Sequence, residues 1–240
     1  TYAVLGESVV KGAAPTALVE PSLVWETTTM TNAGIDINLL KSRLGIVADL
    51  FYKKTDDILI QLPVPLVLGG KTAAYQNAGV VSNKGLELSA SWNDKIEKVS
   101  YSISGNYTFV RNRVKKYRGD VGVEMSGNRY LREGLSINRF YVREVDCIAT
   151  AEKIEEMLAA GYTFYPSTPK PGDFIYKDQQ GPGEPGYMVI NDDDRVIKGT
   201  STPEHFFGLT LSANWNGFDF SALFQGVAGI NTYLNSTWYT

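Results

Sequence analysis

The clearest signal in the chain is a period of two. From Lys84 onward, Leu86, Leu88, Ala90 and Trp92 fall on one side and Glu87, Ser89, Ser91 and Asn93 on the other. The alternation resumes after a short polar break, with Val99, Tyr101, Ile103, Tyr107 and Phe109 set against Ser100, Ser102, Ser104, Asn106 and Thr108. Near the C-terminus Phe207, Leu209, Leu211, Ala213 and Trp215 alternate with Thr210, Ser212 and Asn214. Phe218, Phe220, Ala222 and Phe224 then alternate with Asp219, Ser221 and Gln225. A noisier pair covers Ile35, Ile37 and Leu39, then Leu44, Ile46, Ala48 and Leu50. Successive strand side chains point to opposite faces, so each run predicts a strand with one apolar face. Six strands are expected, near 24–40, 43–52, 80–93, 98–110, 205–216 and 217–228.

Paired runs are joined by tight turns. Asn216-Gly217 suits the two central positions of a type I′ turn, where both residues take positive φ. It sets Trp215 opposite Phe218 on one face. Leu39 is expected to face Leu44 across residues 40–43, and Trp92 to face Val99 across 93–98. The remaining links are long: about 30 residues from Lys53 to Asn83, and 94 from Arg111 to Glu204. Loops beyond ~12–15 residues are uncommon in compact domains and need an explanation.

Charge separates these links from the strands. Residues 111–204 hold 14 basic and 15 acidic side chains, 29 of the chain's 49 charges, so this insertion must be well solvated. Inside it a short helix is expected near 151–160. Thr150 is its N-cap, Ile154, Met157 and Leu158 form an apolar stripe, and Gly161 ends it. The net charge of −3 argues against a nucleic-acid partner. A single cysteine, Cys147, rules out an internal disulfide and a zinc cluster. A single histidine, His205, makes multi-His metal and Ser-His-Asp readings thin, and no Ser or Cys nucleophile lies near it in sequence. No run of ~18 apolar residues predicts a membrane helix. The chain opens Thr-Tyr-Ala-Val without a start Met or a basic leader, and reads as a piece of a longer protein.

Alternating strands suit two architectures. A soluble sandwich turns its apolar face inward, whereas an outer-membrane barrel turns it to lipid and its polar face to the lumen. Three features favour an all-β, antiparallel, up-and-down transmembrane barrel with long extracellular loops. The strands run roughly 10–13 residues, long for a globular sheet and enough for the ~9–11 that a tilted membrane strand needs. The polar faces are mainly small and uncharged. Short turns alternate with long loops. Trp92, Trp215, Phe218 and Phe109 at strand ends suit interfacial girdles. The rival is a soluble extracellular carbohydrate-binding β-sandwich.

At several blocks the sequence resembles the SusC/RagA-like TonB-dependent outer-membrane transporters. Pro21-Ser22-Leu23-Val24-Trp25-Glu26, then Asn32-Ala33-Gly34-Ile35-Asp36, is similar to the family's N-P-x-L-x-W-E and N-x-G-x-D strand, with Glu20 in place of the usual Asn. Asn77-Ala78-Gly79, then Asn83-Lys84-Gly85-Leu86-Glu87, resembles its N-A-G-x-x-x-N-x-G-x-E segment. Pro171-Gly172-Asp173, Asp178 and Asp192-Asp193-Asp194-Arg195 resemble its P-G-D and D-R segment. Gly199, Pro203, Gly208 and Phe224-Gln225-Gly226 complete the order. The resemblance implies an importer of oligosaccharides or oligopeptides in the outer membrane of a Gram-negative bacterium, in contact with its lipid. It implies two partners, a SusD-like surface lipoprotein and TonB, the latter acting through parts absent from this chain. A 22-stranded plugged barrel needs roughly 220 residues in strands alone, so six strands are an internal-to-late part. The final residue, Thr240, is not the aromatic one expected to close a last strand.

No enzyme is expected, since no paired-carboxylate or nucleophile arrangement can be placed, and no cofactor or metal. Asp178, Asp192, Asp193 and Asp194 invite a calcium reading, but too few oxygen ligands remain for six to eight bonds, and Asp also serves plain turns. Arg111, Arg113, Lys115, Lys116 and Arg118 could meet lipopolysaccharide phosphates or an anionic substrate, though a charge run of this kind is ordinarily a solvated loop stem. Tyr162, Phe164 and Tyr165 are the ligand-binding candidates, because aromatic rings on a polar loop can stack on sugar faces. The competing reading packs them against the Ile154 and Met157 helix.

Overall fold

The structure, a computed structural model, describes residues 2–5, 8–11, 18–61, 67, 72–118 and 123–233, with the backbone alone for 2–5, 8–11 and 123–126. The 235–240 tail lies outside the described residues. In chain order the strands are β1 (Tyr2–Leu5), β2 (Ser8–Lys11), β3 (Thr27–Leu39), β4 (Leu44–Gln61), β5 (Tyr75–Ile96) and β6 (Val99–Tyr117). Shorter strands follow: β7 (Val123–Ser126), β8 (Arg129–Arg132), β9 (Arg139–Arg143) and β10 (Val145–Ile148), then helix α1 (Ala151–Ala159). After it come β11 (Thr163–Phe164), β12 (Phe174–Tyr176), β13 (Val189–Ile190), β14 (Arg195–Thr200), β15 (His205–Trp215) and β16 (Phe218–Ala228). The chain forms two compact units. One holds residues 1–124, 132–137 and 203–228, the other 125–131, 138–202 and 229–240.

The first unit contains a β1–β2 hairpin, which no alternation predicted, and a six-stranded antiparallel sheet in the order β16-β15-β6-β5-β4-β3. Three of its strands outrun their expected ends: β4, β5 and β6 have 18, 22 and 19 residues. The link expected from Lys53 to Asn83 therefore shrinks to 62–74. Lys53, Lys54, Asp56 and Asp57 ended the apolar alternation in sequence, but ladder bonds are made by the backbone and continue through charged residues. An irregularity between Thr55 and Ile58, with Asp57 at φ 59°, absorbs the change of register.

The three tight turns lie at one end of this sheet. Asn216 and Gly217 have φ of 49° and 85°, as a type I′ turn requires, and the Trp215 and Phe218 rings stand 6.5 Å apart. Residues 40–43 join Leu39 to Leu44, which are paired. The middle hairpin corrects the sequence reading. Ile96 pairs Val99 across Glu97-Lys98, and Trp92 faces Ile103 rather than Val99. Asp94 sits on the apolar face opposite Tyr101 and hid the continuing alternation. It is paired with Arg43 at 3.3 Å.

Register gathers the apolar residues into rows across the strands. Leu39, Leu44, Trp92, Ile103, Leu211 and Ala222 form one row. The next three are Ile37-Ile46-Ala90-Gly105-Leu209-Phe224, Ile35-Ala48-Leu88-Tyr107-Phe207-Gly226 and Ala33-Leu50-Leu86-Phe109-His205-Ala228. Toward the turns, rows through Tyr101 and Phe220, then Ile96, Val99, Trp215 and Phe218, extend the belt. On the far side Tyr52, Lys84 and Arg111 end it. From Val99 to Phe109 the belt measures about 34 Å along a strand at ~3.4 Å per residue. At a tilt near 40° that is about 26 Å in height, close to the ~25 Å apolar band of a membrane barrel. Most of the large side chains in the belt are exposed, Phe218 by 73% and Phe220 by 61%. The opposite face is less uniformly neutral than its Ser and Thr suggested: Asp36, Asp49 and Glu87 lie on it, Asp49 directly across from Glu87.

The second unit is where residues 138–202 fold, so the expected long loop is largely structured. Four strands form a sheet in the order β14-β9-β8-β7. β10 pairs antiparallel with β12, and β11 parallel with β13. Helix α1 starts at Thr150, whose hydroxyl accepts the Lys153 N–H at 3.2 Å, and Gly161 follows it at φ 97°. Its Ile154 joins Ala149, Ile175 and Ile190 in a small buried core.

Candidate functional site

Several residues that carry the family resemblance hold the sheet together at its charged end. Asn77 Nδ2 donates to the carbonyls of Val24 and Asp57 at 2.9 and 2.7 Å, while its Oδ1 accepts the Val24 N–H at 2.9 Å. Glu26 Oε1 accepts the Leu59 N–H at 2.9 Å. Together they tie the chain entering β3 to the irregular part of β4. Asn112 Nδ2 donates to Asn83 Oδ1 across the β5–β6 pair at 2.8 Å. Gly85 is a place of close approach, since a Cβ there would lie 2.3 Å from the Phe109 carbonyl and 2.6 Å from the Phe51 ring.

In the second unit, the Asp178 and Asp194 carboxylates act as loop staples. Asp194, fully buried, accepts the N–H groups of Gln179 and Asn191, each at 2.8 Å. Asp178 accepts from Gln180 and Met188 at 3.0 and 2.7 Å. Asp193 N–H donates to Asn191 Oδ1 at 2.6 Å, and Asp192 pairs with Arg195 at 3.0 Å. These oxygens already face donors. Glu144 is clamped between two cations, with Lys177 at 2.8 Å and Lys198 at 2.9 Å. The pair holds its carboxyl down at about 2, Lys177 contributing most.

The three aromatic candidates separate. Tyr162 packs against the buried core around Ile154 and Ile175, and burial pushes its phenol up, aided by Tyr187. Phe164 is half-buried on the same core yet also lines a cavity of about 360 Å³. Tyr165 lines that cavity with 68% of its surface exposed. The β11–β13 pair sets the split, holding Thr163 and Phe164 against Val189 and Ile190. Sequence reading missed three further members of the cavity: Arg143, Phe174 and Tyr176. The Arg143 guanidinium lies 4.4 Å from the centre of the Tyr176 ring, an attractive cation–π geometry. Arg143 and Tyr176 are 33 positions apart in the chain, which leaves no local pattern for the pair. His205 stands in the last apolar row of the sheet, where its Nδ1 is 2.8 Å from the Tyr107 hydroxyl, and Cys147 borders the second unit's core.

An open antiparallel sheet with a continuous exposed apolar belt, tight turns at one end and charged rows at the other, defines a section of a membrane β-barrel. The chain belongs to the TonB-dependent receptors: the family described as "TonB dependent receptor-like, beta-barrel" matches it over residues 2–240. Members of that family are outer-membrane β-barrel proteins of Gram-negative bacteria, receptors and transporters by class. TonB-dependent receptor P3 of Formosa agariphila is 28% identical over 239 residues, covering 95% of this chain and 23% of the relative. TonB-dependent receptor SusC of Bacteroides thetaiotaomicron is 28% identical over 217 residues, covering 89% of this chain and 20% of the relative. Among solved structures, the RagAB peptide importer in its open-open state superposes with a TM-score of 0.68 at 21% identity, over 96% of this chain and 23% of that one. At that identity the likeness speaks for the fold alone. The chain spans about a quarter of the length of these relatives. Family and fold together set the soluble sandwich aside.

Proposed function

We propose that this chain is a stretch of the barrel wall of an outer-membrane importer of the SusC/RagA kind, driven through TonB and working with a SusD-like surface lipoprotein. The apolar belt carries the reading: its height suits the bilayer, and water is a poor solvent for a face holding Phe207, Leu209, Phe218, Phe220 and Phe224. The cargo in this reading is an oligosaccharide or oligopeptide. Phe164 and Tyr165, on the cavity beside Arg143 and Tyr176, are the side chains proposed to touch it, with Tyr162 behind them as support.

The test is made on the complete receptor. Membrane fractionation and heat-dependent gel migration should place it in the outer membrane as a folded barrel. Labelled oligosaccharides and peptides should accumulate only when TonB is present. Recovery as a soluble monomer, or uptake indifferent to TonB, would overturn the reading. Tyr165→Ala should slow uptake while leaving insertion unchanged.

A further inference from the structure

We propose that the second unit carries an anion-reading subsite for the carboxylate or sulfate groups of an acidic oligosaccharide. The proposal rests on the importer reading for its supply of sugar, and on the geometry below for the charge of that sugar.

The site is a groove of about 740 Å³. Arg129, Arg143 and Arg195 line it with Phe140, Tyr141 and Tyr176, and among the described residues no carboxylate side chain lines it. This is a local segregation of charge, because residues 111–204 as a whole carry 14 basic and 15 acidic side chains. It differs from the cavity at Tyr165, with which it shares Arg143 and Tyr176 as a common wall.

Register sets two of the cations side by side. Arg195 on β14 is directly opposite Arg143 on β9. Opposite side chains on an antiparallel pair have Cβ atoms about 4.5–5.5 Å apart, and like charges there destabilise the pair. The surroundings relieve this only partly. Arg195 has Asp192 at 3.0 Å and gives a second N–H to the Gly127 carbonyl at 3.3 Å. Arg143 lies over Tyr176 and reaches the Tyr165 carbonyl at 3.5 Å. Arg129 lies 5.2 Å from the Phe140 ring centre and donates to Ser201 Oγ at 2.6 Å. Among the described residues neither Arg143 nor Arg129 has a carboxylate partner. A guanidinium carries five donors in a planar fork, so most donors here remain open. An oxyanion seated between Arg143 and Arg195 would remove their repulsion and accept charge-assisted hydrogen bonds, the strong kind.

The same groove favours a sugar over an acidic peptide. A peptide gains affinity by pairing its main chain with a free strand edge. The groove's backbone wall comes mainly from β9, which lies between β14 and β8 and whose Tyr141 N–H is taken by the Asn128 carbonyl at 2.8 Å, while the edge strand β14 lends the groove only Arg195. The groove therefore reads chiefly with side chains. Tyrosine rings beside guanidinium forks match a ligand with apolar ring faces and pendant acids.

Calorimetry on the complete receptor in detergent would test this with three probes: trigalacturonate, maltotriose and hexaglutamate. Trigalacturonate should bind at least tenfold more tightly than maltotriose, and weaken as salt rises. Arg143→Gln and Arg195→Gln should each weaken it about tenfold, the loss expected for one charge-assisted contact. Arg143→Lys, which keeps the charge but not the fork, should fall between. Equal affinity for trigalacturonate and maltotriose, or unchanged affinity in folded Gln variants, would overturn the proposal. If the Gln variants misfold, salt-independent binding to the unaltered receptor would do the same. Tighter binding of hexaglutamate would overturn the choice of a sugar. A receptor that inserts and imports a neutral sugar but ignores trigalacturonate keeps the importer reading and loses this one. One that binds trigalacturonate but fractionates with soluble proteins does the reverse.

Discussion

In the six-stranded sheet the largest apolar side chains look outward, Phe218, Phe220 and Phe224 each more than half exposed. Among the described residues, the unit's buried positions, Ala78, Gly79, Ser82, Asn112, Val114 and Tyr117, all lie past the Lys84–Arg111 row. In the second unit the arrangement is the usual aqueous one: Ile175 is 1% exposed, packed with Ile154, Ile190 and Ala149, and the one fully buried carboxylate among the described residues, Asp194, has both oxygens hydrogen-bonded. The backbone ladders of both obey the same rules. What differs is the solvent each was selected against. The sheet leaves its apolar surface for lipid to cover and draws its order from long ladders. The second unit must bury its own apolar surface, and it does so with few residues and several carboxylate staples.

Substitutions should separate the two. Ile175→Ala opens a cavity in the small core and should cost about 2–5 kcal/mol. The loss should appear as faster hydrogen exchange across 145–190, with the sheet's amides unaffected. Ile35→Ala on the belt should cost less, because fluid chains fill the space it leaves. Equal effects would break the comparison.

Leu209→Arg, in the middle of the belt, should cost about 2–4 kcal/mol of barrel stability in lipid vesicles, as a charge at the midplane does. Thr210→Arg, one residue on and facing the other way, should cost far less, because that face meets water. Denaturant titration of the two variants in vesicles measures the difference. A larger cost at Thr210 would reverse the assignment of faces.

Asp194→Ala would strip the partners from two N–H groups, those of Gln179 and Asn191. A cost of about 1–3 kcal/mol is expected for orphaned buried donors. Exchange at those two amides should rise first.

Acid gives the smallest effect. The Glu144 carboxyl is held at about 2, below its ordinary value of 4.5, by Lys177 and then Lys198. A depressed carboxyl stabilises the folded state above the ordinary value and loses that contribution as pH falls from 4.5 toward 2. The group is half-buried and still open to water, so solvent screens part of the effect. Glu144→Gln should flatten the stability of the second unit across that window, measured by local exchange. A slope unchanged by the substitution would assign it to other carboxylates.

The sheet was the legible part. Phe207, Leu209 and Leu211 alternate with Thr210 and Ser212 in sequence, and the ladder places them on faces as the alternation implies. It failed where hydropathy ceased to mark the strand: at Lys53 to Asp57, where β4 continues, and at Asp94, which lengthened an apparent turn. Side-chain pattern reports solvent, and a strand that leaves one solvent for another loses its pattern without ending. The candidate site was less legible. Phe164 and Tyr165 were marked by composition, but Arg143, Phe174 and Tyr176 reach the same cavity from β9 and β12. Their separation along the chain leaves no periodic trace.

The amino-acid sequence alone determined the strand faces, the Asn216-Gly217 turn, the capped helix and the membership of an outer-membrane class, because these depend on neighbours within a few residues or on motif order. The tertiary structure decided which arginines stand together. Arg143 and Arg195 are 52 positions apart in the chain and opposite each other in the β9–β14 pair. It also decided that Tyr162 packs on the core while Tyr165 is exposed, although the two are three residues apart and of one kind. Both outcomes follow from long-range register, which is fixed only when the whole unit packs.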